Sequence, residues 1–125
     1  MKKRLGLSLA FLMLTASGIS NASEGHGEIK TMASILTGLN HQPSGVEKKQ
    51  LQKIVDDSHA SVYAQTLAQV MIDLDHKVSG ADKAKLKKIA KDSSANKNER
   101  ELANILINLN HKASSDDQHK LHAMQ

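Results

Sequence analysis

The chain has 125 residues, 39% of them hydrophobic, with 17 basic and 13 acidic side chains, seven histidines and no cysteine. Without cysteine neither disulfides nor thiolate chemistry is available, and one Tyr with one Phe rules out stacking platforms for single-stranded nucleic acid and aromatic cages. Lys2, Lys3 and Arg4 supply three of the basic residues, so the net charge beyond them is +1 rather than the +4 of the whole chain, and bulk attraction to nucleic acid or anionic membrane loses most of its support.

Residues 1–22 read as a secretory signal peptide. The three cations form its basic start, the ten residues from Leu5 to Leu14 its apolar run, and Ser20-Asn21-Ala22 a small-x-small cleavage site. That run is short of the ~20 residues a transmembrane helix needs, so no integral membrane anchor is expected after cleavage. The mature chain is expected in the periplasm or secreted. Residues 23–125 then form one small domain. Cleavage after Ser23 would start the chain at Glu24-Gly25-His26, able to wrap Cu(II) in a square plane; cleavage after Ala22, the better position, removes that arrangement.

The domain is repetitive. Leu39-Asn40-His41 returns as Leu74-Asp75-His76 and as Leu109-Asn110-His111, 35 residues apart each time. At the same step Ala33, Ala68 and Ala103 align, as do Ile35, Val70 and Ile105, and Leu51, Leu86 and Leu121. A fixed period of this length marks tandem helical hairpins, and the repeats span about 28–60, 61–95 and 96–125. The first long helix is expected over 28–40, with Ile29, Met32, Leu36 and Leu39 on one face. Tyr63, Leu67, Met71 and Leu74 mark the second, and Leu102, Ile105, Leu106 and Leu109 the third.

Each helix carries a start signal. Ser61 and the pair Asn96/Glu99 precede the second and third long helices; Ser44/Glu47, Ser79/Asp82 and Ser114/Asp117 precede the short ones. Pro43, Gly45 and Gly80 keep the connecting turns short, so neighbouring helices run antiparallel. The expectation is an all-α fold of three tandem helical hairpins, either a short α-solenoid capped by the last helix or a compact six-helix bundle; the period by itself favours the solenoid. The layout resembles tetratricopeptide repeats, but their Trp, Gly, Tyr and Phe marks are missing, so no family is assigned.

His41, His76 and His111 invite two readings. As structural residues they bond the free carbonyls at a helix end and suit its negative dipole. As ligands they form a ladder for a divalent transition metal, one histidine per layer, a placement that implies no single closed site. His119 and His122, with Asp116 one turn earlier, could offer a second, weaker metal site on the last helix. Lys83, Lys85, Lys87, Lys88 and Lys91, partly echoed by Lys48, Lys49 and Lys53, read as a solvated helix face or as a docking face for an acidic partner.

Neither a nucleophile elbow nor a phosphate-cradling loop is present, and Asp73, Asp75 and His76 do not make a triad, so no catalytic residue and no enzyme activity is expected. The leading expectation is a non-catalytic binding module in the cell envelope, with an unidentified protein partner. The alternatives are a periplasmic Zn, Cu or Ni binding protein using the repeat histidines, and a periplasmic holdase.

Overall fold

The computed structural model describes residues 16–125, with side chains from Gly27 onward. The basic start and apolar run of the expected signal peptide, and the side chain of His26, lie outside the described residues. Six helices follow one another: α1 (Ala16–Thr37), α2 (Gly45–Asp56), α3 (Val62–Ile72), α4 (Gly80–Lys91), α5 (Lys97–Asn108) and α6 (Ser115–Ala123). α1 starts twelve residues before the expected position and ends three before it. Among the described residues, no helix is long and apolar enough to cross a membrane.

The start signals work as their chemistry predicts. Ser44 accepts a bond from the Glu47 backbone N–H, while Glu47 accepts one from the Ser44 N–H, a complete capping box. Asn96 and Glu99 repeat it at α5. Ser79 and Ser114 each accept from the N–H three residues on, without the reciprocal bond that the shorter Asp would have to make. Ser61 caps α3 and also donates its hydroxyl to Glu99. Glu99 is only 5% exposed; the Asn96 N–H on Oε1 and the Ser61 hydroxyl on Oε2 satisfy both carboxylate oxygens, which offsets the cost of burying the group.

The long helices α1, α3 and α5 touch one another at the centre, and the short ones lie outside. The tightest neighbour of each short helix is the long helix that follows it: α2 packs on α3 and α4 on α5. The repeat units read from the sequence, which pair each long helix with the short one after it, therefore cut across the main packing units. α6 has no following helix and packs back on α1. Gln118 Nε2 donates to the Thr37 carbonyl at 3.1 Å, and Gln125 Nε2 to Thr37 Oγ1 at 2.8 Å.

Of the two expected architectures, the chain adopts the closed one. Burial says the same: Leu51, Leu86 and Leu121 are all 0% exposed, one from each repeat. An open array would leave its terminal repeats half covered. The core joins Leu, Ile, Met, Val and Ala from all three copies, with Tyr63 partly buried against it. Tyr63 donates its hydroxyl to Asp92 at 2.7 Å. That bond pushes the phenol above its ordinary value. Together with the Ser94 backbone N–H, it holds the Asp92 carboxyl below its own.

Candidate metal centre

The turns between long and short helices are not made by glycine. Among the described residues no Gly has positive φ, and Gly45 and Gly80 are simply the first residues of α2 and α4. The left-handed positions belong to the three histidines, His41 (φ 79°), His76 (φ 68°) and His111 (φ 71°). This region is uncommon for residues with a Cβ, although His, Asn and Asp tolerate it better than most. At His76 the Lys77 N–H reaches back to the Asp75 carbonyl at 2.7 Å, closing a tight γ-turn of the rare, strained hand.

The three turns meet through their backbones. His76 N–H donates to the His41 carbonyl at 2.8 Å, His111 N–H to the His76 carbonyl at 2.6 Å, and His41 N–H to the His111 carbonyl at 2.8 Å. The cycle closes on itself, so each histidine backbone gives one bond and receives one. Pro43, Val78 and Ala113, two residues beyond the histidines, are all buried. The backbone ring is thus anchored from one side while the imidazoles remain on the exposed side.

Those imidazoles converge. Ring centroids are separated by 4.7, 4.8 and 4.9 Å, almost an equilateral triangle. Two expectations are corrected here. The histidines do not sit on successive layers, because closure of the helices puts all three in one layer. Nor do the rings lie in the last helical turns: His41 follows the end of α1 by four residues, and each ring faces the other two.

One candidate donor nitrogen from each ring lies within 4.8 Å of the others, making these residues the one group of three or more convergent metal-ligating side chains among the described residues. His41 Nδ1 and His111 Nδ1 are 3.0 Å apart. Tetrahedral Zn–N bonds of 2.0–2.1 Å separate ligand nitrogens by about 3.3 Å. One pair is therefore already near ligand spacing, and the widest must close by about 1.5 Å. Rotation about χ2, a soft torsion in histidine, supplies this at an exposed ring. His76 Nδ1 stands 3.2 Å from Asp75 Oδ1. A carboxylate in that place favours a proton on Nδ1 and Nε2 as the donor toward a metal, as outer-shell carboxylates commonly do.

Comparison with protein-family models, curated proteins and solved structures returned no match. The chemistry of the site therefore rests on its own geometry. Asp116, His119 and His122 form no second convergent group: the two histidines lie exposed on α6. Lys83, Lys85, Lys87, Lys88 and Lys91 are all exposed on α4. Sequence reasoning missed Asp75 as a partner of His76, and it missed the left-handed backbone. The available signal was the recurrence of His directly after Asn or Asp, two residue types that also tolerate this conformation.

Proposed function

We propose that this chain is a small metal-binding protein that holds one divalent transition ion on the imidazoles of His41, His76 and His111. The observation that carries this reading is the convergence of three exposed rings at centroid spacings of 4.7–4.9 Å on three strained backbone positions. Strain of this kind persists where the surrounding structure imposes it, and it clusters at functional sites. Three neutral imidazoles suit Zn(II), Cu(II) and Ni(II), with copper bound most tightly on general grounds. The leader-like N-terminus supports action in the cell envelope. The reading is one of binding, without catalysis.

The two other readings have less support. A macromolecular binding module was suggested by the long concave surface of a stacked array, and a closed ring offers no such surface. A holdase needs exposed Met and Leu, whereas Met32 and Met71 are 0% exposed and Met124 is 3% exposed. Among the described residues the exposed large hydrophobics are Val46 and Val62.

Calorimetric titration of the full chain with Zn(II), Cu(II) and Ni(II) tests the proposal. The expected result is one ion per chain, micromolar or tighter for copper, abolished in the triple variant His41→Asn, His76→Asn, His111→Asn and retained in His119→Ala, His122→Ala. Millimolar affinity, or binding unchanged in the triple variant, refutes it.

A further inference from the structure

Three donors on one exposed layer hold a metal from below and leave its outer side to solvent. The residue following each histidine shares that rim: Gln42, Lys77 and Lys112, all exposed. Lys48 Nζ lies 3.4 Å from Gln42 Oε1, which brings a third ammonium to the same edge. The turn that carries His76 holds two acids, and both are engaged: Asp75 with His76, and Asp73 with the Gln69 side-chain amide at 3.3 Å. A divalent ion at the centre would add to this positive rim, and bound cations dominate the local field of such sites.

Resting on the metal reading above, we propose that the loaded site binds a small bidentate carboxylate as its outer ligand, so that the protein holds a metal–carboxylate chelate rather than a bare ion. A site with three protein nitrogens keeps at least one open coordination position and can expand to five. Hard carboxylate oxygens suit the remaining positions on Zn(II), Cu(II) or Ni(II), and an anion neutralises charge that three neutral imidazoles cannot. Lys77 and Lys112, each next to a ligand histidine in the chain and exposed, supply positive charge beside the chelate. Their contribution is that of exposed ion pairs, modest and weakened by salt.

The test uses the full chain loaded with one equivalent of Cu(II), titrated with oxalate and followed by the copper visible absorption and electron paramagnetic resonance spectra. A first arm with copper alone establishes metal binding; failure there overturns the metal reading itself. With copper bound, the expected result is one oxalate per copper, with the copper still attached to protein after gel filtration. Added salt should weaken oxalate binding. The variant Lys77→Gln, Lys112→Gln, which makes all three rim positions Gln, should lower oxalate affinity about threefold to tenfold without weakening copper binding. Copper stripped from the protein by oxalate, unchanged copper spectra, or identical oxalate affinity in the variant overturns the chelate proposal while leaving metal binding in place.

Discussion

Replacing His76 by glycine separates a histidine kept for metal from one kept for folding. Its φ of 68° costs a residue with a Cβ of order 1–3 kcal/mol, and His belongs near the lower end because it tolerates this region better than most. Glycine removes that strain but brings a more flexible unfolded chain, which costs about 0.5–1 kcal/mol. The two nearly cancel, so metal-free His76→Gly should have a stability between unchanged and about 1 kcal/mol higher. For a domain of this size 1 kcal/mol is about 4–8 °C in Tm. Metal reverses the order. An ion at 100 times its Kd stabilises the native state by about 2.7 kcal/mol, a gain that wild type receives and the variant largely loses. Thermal unfolding followed by circular dichroism, with chelator and then with excess Zn(II), reads both effects. A variant destabilised by more than about 2 kcal/mol in chelator would show the imidazole cluster to be part of the fold's own support, and the reasoning fails.

Ring closure makes the end repeats as costly to damage as the middle one. Leu86→Ala and Leu121→Ala each remove a side chain that is 0% exposed, and each should cost about 2–5 kcal/mol in urea unfolding; a near-neutral Leu121→Ala would indicate an open array. Ser44→Ala removes both the acceptor and the geometry of a capping box and should cost about 1 kcal/mol. The Tyr63–Asp92 bond gives stability a pH dependence at both extremes. Asp92 is depressed in the native state, so its contribution is present above its unfolded value and is lost as pH falls through the lowered native one. Tyr63 is raised, so its contribution is full below its unfolded value and is lost as pH rises through the native one. Stability profiles of wild type and Tyr63→Phe should converge at both limits; a constant difference across the whole range contradicts the assignment.

Much of the fold was legible because its determinants are local. Serine or asparagine at an N-cap and apolar residues at three- and four-residue steps act within one helix, and their repetition at 35 residues made six helices readable. Closure was not legible. Leu121 and Met124 present the same apolar face whether they cap an open stack or return to α1, and the period fixes what is repeated but not the rotation between copies. The packing partner of α2 was hidden for a related reason. The connections through Asp57 and Ala60 and through His41 and Pro43 are both short enough for an antiparallel neighbour, so chain order alone did not choose between α1 and α3. The candidate site followed the closure. Its three histidines were recognisable as a set from their spacing, but their meeting depends on the bend summed over the whole ring, and their left-handed φ on turns in which His takes the place expected of Gly.

The central claim is that three imidazoles share one ion. Zinc K-edge X-ray absorption on the full chain with one equivalent of Zn(II) tests it most directly. The account predicts three imidazole nitrogens at about 2.0–2.1 Å, unchanged in His119→Ala, His122→Ala and reduced in His76→Asn. A shell with one imidazole or none, or a spectrum indifferent to His76→Asn, would contradict it.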